Sequence, residues 1–172
     1  ALHTICSSGM CPNKAECWSR RTATFMILGD VCTRSCRFCA TRTGRPLPPD
    51  ETEPEQLARS VRLMRLRHVV VTSVTRDDLA DQGARHWAAT VAAIRRENHD
   101  ATIELLIPDF DARTELLDTV AAAKPEIIGH NIETVERLTP QVRSRARYAT
   151  SLATLEQLAQ RGVVTKSGLM VG

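Results

Sequence analysis

Thr24-Phe25-Met26-Ile27-Leu28-Gly29-Asp30-Val31-Cys32-Thr33-Arg34-Ser35-Cys36-Arg37-Phe38-Cys39 sets a short apolar run directly before three cysteines. Thr24 to Leu28 is apolar, brief and stopped by Gly29-Asp30, which reads as a buried strand. Cys32, Cys36 and Cys39, spaced C-x3-C-x2-C, then sit on the loop after that strand. A second triplet, Cys6, Cys11 and Cys17, spaced C-x4-C-x5-C, precedes it, and no cysteine follows Cys39. Three thiolates so spaced can hold three irons of a [4Fe–4S] cluster, leaving the fourth iron open to a small molecule. Two clusters are therefore expected, with the chemistry at the missing fourth ligands.

Outward from this stretch, strands and helices alternate. Thr52 with Glu55 reads as a capping box, and Leu57, Val61 and Met64 recur as one face of a helix. His68–Val74 is a second strand. Trp87, Val91 and Ile94 mark a helix, Thr102–Ile107 a third strand stopped by Pro108, and Leu116, Leu117 and Val120 a further helix. Pro125 opens a fourth strand through Ile127-Ile128. Leu152, Leu155 and Leu158 mark a last helix, and Val163–Gly172 a fifth strand. This order predicts an α/β fold with a parallel sheet, and the near-continuous apolar strands predict burial on both faces. A partial (β/α) barrel is expected, with an open doubly wound sheet as the alternative; no Gly-rich dinucleotide loop follows the first strand. Residues 1–22 read as an extension shaped by its metal ligands, and 23–172 as the core. The chain has no initiator Met and stops inside a pattern, which suggests a piece of a longer protein truncated at its C terminus.

The 172 residues are 42% hydrophobic and 3% aromatic, which favours an aliphatic α/β core over an aromatic-rich sandwich. A net charge of +3 is too small to argue nucleic-acid binding. No apolar run is long enough to span a membrane. Three disulfides would spread cysteines through a small loop-rich chain, which these do not. Thiols of this kind need a reducing compartment, so a cytoplasmic location is expected.

Polar residues gather at the carboxyl ends of the expected strands, where a β/α barrel carries its site. Thr72, Ser73, Arg76, Asp77 and Asp78 follow the second strand, Asp109 the third, and His130, Asn131 and Glu133 the fourth. Glu104 lies within an apolar strand and needs partners if buried. His3, His68, His86 and His99 read as surface or packing residues. Arg143, Arg145 and Arg147 read first as a solvated arginine face, with reception of an acidic partner as the other reading.

The C-x3-C-x2-C loop resembles the signature of radical S-adenosylmethionine (SAM) enzymes. In that family three cysteines bind three irons and SAM chelates the fourth; an electron then cleaves the sulfonium, and the 5′-deoxyadenosyl radical abstracts hydrogen. The resemblance places Phe38 near the adenine, Thr72 and Ser73 at SAM's amino group, and Glu104, Asn131 and Met170 on the cofactor. A zinc-stabilised binding module is the alternative from another class.

The first triplet narrows the likeness. Cys11-Pro12-Asn13, Glu16-Cys17-Trp18, Thr43-Gly44-Arg45-Pro46, Arg76-Asp77-Asp78-Leu79, His130-Asn131-Ile132-Glu133-Thr134 and Thr165-Lys166-Ser167-Gly168-Leu169-Met170-Val171-Gly172 resemble the lipoyl synthase family. That resemblance implies insertion of two sulfur atoms at C6 and C8 of a protein-bound octanoyl-lysine. It implies an auxiliary [4Fe–4S] cluster on Cys6, Cys11 and Cys17 as the sulfur source, beside the SAM-binding cluster on Cys32, Cys36 and Cys39. It also implies octanoylated carrier domains (2-oxoacid dehydrogenase E2 or glycine cleavage H protein), an electron donor such as ferredoxin or flavodoxin, and a monomer. Another radical SAM sulfur-inserting enzyme remains the enzymatic alternative. The family's auxiliary serine ligand, in an Arg-Ser-Ser-Tyr segment, has no counterpart before Gly172.

Overall fold

The computed structural model describes residues 3–8 and 11–171. In chain order these form β1 (His3–Thr4), α1 (Ile5–Ser8), α2 (Lys14–Ser19), β2 (Thr22–Ile27), β3 (Val31–Cys32), β4 (Arg42–Thr43), α3 (Glu53–Leu63), β5 (His68–Ser73), α4 (Ala84–Glu97), β6 (Thr102–Leu106), α5 (Thr114–Ala122), β7 (Ile127–Gly129), α6 (Thr139–Val142), α7 (Tyr148–Gln160) and β8 (Val164–Lys166). Short 3₁₀ turns cover Phe110–Ala112 and Glu136–Leu138.

One sheet runs β1-β2-β5-β6-β7-β8, and every pairing in it is parallel except β1 with β2. The parallel strands lie in the order in which the chain visits them. A doubly wound sheet would reverse that order midway, so the fold is the partial barrel.

The core shows why. Ala23, Phe25, Ile27, Val69, Val71, Ile103 and Leu105 alternate along β2, β5 and β6 and are at most 1% exposed. They form one cluster with Leu57 and Val61 of α3, Trp87, Val91 and Ile94 of α4, Leu117 and Val120 of α5, and Leu158 of α7. Each fully buried aliphatic side chain contributes about 1.5–3 kcal/mol. The intervening residues point the other way. Thr22, Thr24, His68, Val70, Thr72, Thr102 and Leu106 remain half-exposed on the face without helices. Burial on both faces, expected from the sequence, is thus corrected: one face packs on helices and the other is an open, polar-bearing lumen.

Three local readings also change. Thr52 precedes α3 but caps nothing; its hydroxyl donates to Asp50 at 2.6 Å and accepts from Gln56 at 2.7 Å. Glu55 pairs with Arg96 across to α4. The fifth strand is regular only over Val164–Lys166, with one further bridge between Glu133 and Leu169; Gly172 lies outside the described residues. The extension is not shaped by ligands alone, because β1 adds an antiparallel strand to β2, His3 opposite Met26 and Thr4 opposite Phe25. Among the described residues no helix is long and apolar enough to cross a membrane.

Candidate functional site

The cysteine loop is closed at its base. β3 pairs with β4, Val31 opposite Arg42 and Cys32 opposite Thr43, and Gly44 N–H bonds the Cys32 carbonyl at 3.0 Å. Between these strands the loop is tied to neighbours on two sides. Thr33 donates its N–H and its hydroxyl to the Thr75 carbonyl. Arg37 N–H bonds the Val142 carbonyl and Ser35 N–H the Ser144 hydroxyl, fastening the loop to the end of α6 and the connector that follows it.

A buried guanidinium holds the third side. Arg34 is 7% exposed. Its Nε and Nη2 donate to Asp77 at 2.9 and 2.8 Å, and its Nη1 and Nη2 to Asp109 at 2.8 and 3.0 Å. Burial by itself would lower the arginine pKa, but the two carboxylates outweigh it and raise that pKa further. Burial would raise the pKa values of Asp77 and Asp109; their bonds to Arg34 prevail and hold both below the ordinary carboxylate range. Asp109 is presented by an unusual turn. Phe110, Asp111 and Ala112 all have left-handed φ, 47°, 52° and 53°. Each such non-glycine residue costs about 1–2 kcal/mol. The buried Phe110 ring and the Thr154 hydroxyl bond to the Asp109 carbonyl, 2.9 Å, offset that strain.

A second buried arginine, Arg76, 1% exposed, ties the turn after β2 to the proline connector through the carbonyls of Leu28 and Leu47, and is paired by Asp78.

These ties frame a cleft of about 210 Å³, open to solvent, at the carboxyl ends of β2, β5, β6 and β7. Cys32, Cys36, Phe38, Cys39, Thr72, Ser73 and Asn131 all line it. Glu133, Arg143, Asp109 and His130 line it as well. All six cysteines are free thiols. The three loop thiols share the cleft without being drawn into a closed set: among the described residues no three His, Cys, Asp or Glu side chains stand close enough to hold a metal ion. Cys6 is buried, and its Sγ accepts the Thr24 N–H at 3.4 Å, midway along β2. Cys17 lies on α2 before β2, so the first triplet flanks the strand's side and start and the second its end. Gly9 and Met10, inside the first triplet, lie outside the described residues.

Two expected residues stand elsewhere. Glu104 does not line the cleft; its carboxylate lies in the lumen, bonded by Lys166 at 2.7 Å and facing His68 at 3.3 Å. Met170 does not line it either, and is half exposed; its N–H bonds the Glu133 carbonyl at 2.9 Å, while Glu133 N–H bonds the Gly168 carbonyl. The segment after β8 therefore acts on the cleft through its backbone, as a strap under Asn131 and Glu133. A Cβ at Gly168 would stand 2.6 Å from Asn131 Oδ1, so a side chain there must displace the Asn131 amide. The arginine face is also not one surface: Arg143 is buried, donating to Ser151 and to the Asn131 carbonyl, while Arg145 lies between Asp77 and Asp111.

His130 is buried, with Nδ1 against the Ile107 carbonyl and Nε2 against the Ser151 hydroxyl, both at 2.9 Å. Burial lowers its pKa below the ordinary 6.5. The unfolded chain then binds a proton that the folded chain refuses, so stability rises with pH where the unfolded imidazole is being deprotonated. Urea unfolding of the apo protein is expected to show stability declining as pH falls below about 6.5. His130→Gln should flatten that slope; an unchanged slope would assign it to another group.

The donor set suits a cofactor with both metal and polar ends. Three free thiols face the cleft, and two buried atoms in its walls, Ser73 Oγ and Arg143 Nε, have no hydrogen-bond partner. Buried polar groups are rarely left so, and a ligand carrying amino, carboxylate and hydroxyl groups would satisfy them.

The fold and this loop define a class. Residues 26–172 match the family described as the Radical SAM superfamily, and the chain belongs to it. Within that class, it is 61% identical over 171 residues to "Lipoyl synthase" of Bacteroides fragilis and of Parabacteroides distasonis, and 57% identical over 172 residues to that of Christiangramia forsetii. Each alignment covers 99% of this chain and 59%, 61% and 59% of those proteins, so the chain spans about three fifths of its relatives' length. Among solved structures, the FeFe-hydrogenase maturase HydG from Carboxydothermus hydrogenoformans superposes with a TM-score of 0.70 at 15% identity, covering 86% of this chain and 35% of that one. Methylornithine synthase (PylB) gives 0.67 at 13%, covering 87% and 44%. These two likenesses concern the fold alone.

Proposed function

We propose that the protein to which this chain belongs is a lipoyl synthase, inserting sulfur at C6 and C8 of an octanoyl chain on a carrier-domain lysine. The observation that carries the reading is the 61% identity along 99% of the chain. In this reading Cys32, Cys36 and Cys39 hold a [4Fe–4S] cluster, and Cys6, Cys11 and Cys17 hold a second that donates sulfur. When bound, the first cluster and SAM supply one-electron cleavage of the sulfonium, the only source of a group reactive enough for an alkyl C–H bond. The residues of the chain bind, orient and exclude water. Thr72, Ser73 and Asn131 offer polar atoms to SAM, Phe38 an aromatic face to its adenine, and Arg143 an unpartnered N–H to its carboxylate. Octanoylated E2 or H-protein domains are the carriers, with ferredoxin or flavodoxin as donor, in the cytoplasm.

The test uses the full-length protein, reconstituted anaerobically. About eight irons per chain are expected for two clusters. With SAM, dithionite and an octanoyl-lysyl carrier domain, lipoyl product and 5′-deoxyadenosine should form. One zinc without sulfide would point to the structural module instead, and SAM cleavage without sulfur insertion would leave a different radical SAM enzyme.

Gly168→Ala should push the Asn131 amide aside and weaken SAM binding about tenfold, ~1.4 kcal/mol. Equilibrium binding on the reconstituted protein reads this. Unchanged affinity would remove Asn131 from the SAM contacts.

A further inference from the structure

We propose that Arg34 is the positioning residue that sets the reduction potential of the cluster held by Cys32, Cys36 and Cys39; this rests on the cluster reading above. The sulfur of Cys32 accepts two backbone N–H groups, from Arg34 at 3.4 Å and from Thr75 at 3.3 Å. Both donors are aimed by one assembly. The Arg34 guanidinium grips Asp77, Asp77 N–H bonds the Thr33 hydroxyl at 3.1 Å, and that hydroxyl faces both Asp77 Oδ2 and the Thr75 carbonyl at 3.0 Å. Asp109 holds the other side of the fork. Fixing the guanidinium therefore fixes the peptide that carries one donor and the loop that carries the other.

Two consequences act in the same direction. Reduction adds one electron to the cluster, making it one unit more negative, and N–H groups aimed at a ligating sulfur stabilise that form, as hydrogen bonds to sulfurs tune such centres. The arginine also cancels one of two buried carboxylate charges beside the loop. Losing it releases the N–H donors and leaves Asp109 unpaired and Asp77 with only the half-exposed Arg145 at 3.9 Å, so the reduced state is disfavoured twice. Lysine keeps the charge but cannot reproduce the planar fork that spans both carboxylates.

The experiment uses the full-length protein with Cys6, Cys11 and Cys17 changed to alanine, so that one cluster is read. The parent, Arg34→Lys and Arg34→Met are reconstituted anaerobically, assayed for iron and sulfide, and titrated with dithionite while the reduced cluster is followed by electron paramagnetic resonance. The expected result is full iron in parent and Arg34→Lys, with the reduced-to-oxidised ratio at the parent's midpoint at least tenfold lower in Arg34→Met, about 59 mV for one electron. Arg34→Lys should fall between. If Arg34→Met does not fold, a lowered potential in Arg34→Lys alone supports the proposal. Full iron with an unmoved potential in the lysine variant, or in both, overturns it. Variants that fold but assemble no cluster also overturn it, since Arg34 would then serve assembly. A parent that takes up no iron instead defeats the cluster reading itself.

Discussion

Cys36→Ala in the full-length protein is expected to abolish reductive SAM cleavage, whereas Cys11→Ala should leave cleavage measurable and stop sulfur insertion. The reason is placement. Cys36 shares a cleft with Thr72, Ser73 and Asn131, at the carboxyl end of the sheet. The first triplet belongs to α1, α2 and the link between them, alongside β2 and its start. Cys6 sits at the middle of β2, three residues or about 10 Å of strand rise from its carboxyl end, so the proposed centres would be distinct. The measurements are 5′-deoxyadenosine released with dithionite as reductant, and lipoyl product on an octanoyl carrier. Cleavage surviving Cys36→Ala but lost in Cys11→Ala would reverse the two assignments.

Asp109→Ala is expected to destabilise the apo protein by about 3–5 kcal/mol, the cost of leaving a buried charge half-paired. The side chain is fully buried, accepts two Arg34 bonds and one from Asp111 N–H, and closes a turn of three left-handed residues. Because its pKa is depressed in the fold, its contribution is present above the ordinary carboxylate value of 3.8 and lost as pH falls below it. Chemical unfolding of parent and variant near pH 7 and near pH 3 reads both effects. The difference should be large at the higher pH and shrink at the lower. A loss under 1 kcal/mol at pH 7 would mean that Arg34 finds water or another acid.

Much of the architecture was legible because apolar runs and amphipathic stretches alternate, and such alternation leaves few ways to bury both. The strand-end rule locates the thiols, Thr72, Ser73 and Asn131 from the sequence alone. What escaped was whatever depends on register or on distant partners. Glu104 sits mid-strand, opposite Ile127 and Val70, and only the pairing register reveals that it faces the lumen under Lys166 rather than the cleft. Arg34, between two cysteines, looks like any polar loop residue; its partners lie 43 and 75 residues downstream. The turn at Phe110, Asp111 and Ala112 contains no glycine, so nothing in its composition signals left-handed backbone. Glu133 stands beside Asn131 with no role that its side chain discloses, since the strap that holds it works through backbone atoms.

The order of the strands has a consequence for biosynthesis. Each parallel strand is laid against the one made just before it, so a chain leaving the ribosome can extend the sheet unit by unit, with contacts that stay local. The cysteine loop, however, takes two of its fastenings from Asp77 and Asp109, after β5 and β6. Translation has passed residue 109 before Arg34 can be gripped on both sides. The six thiols, all at or before residue 39, are made before either of these partners. On the cluster reading proposed above, iron delivered after the third parallel strand would meet a formed socket, whereas earlier delivery would meet thiols that any soft metal can claim.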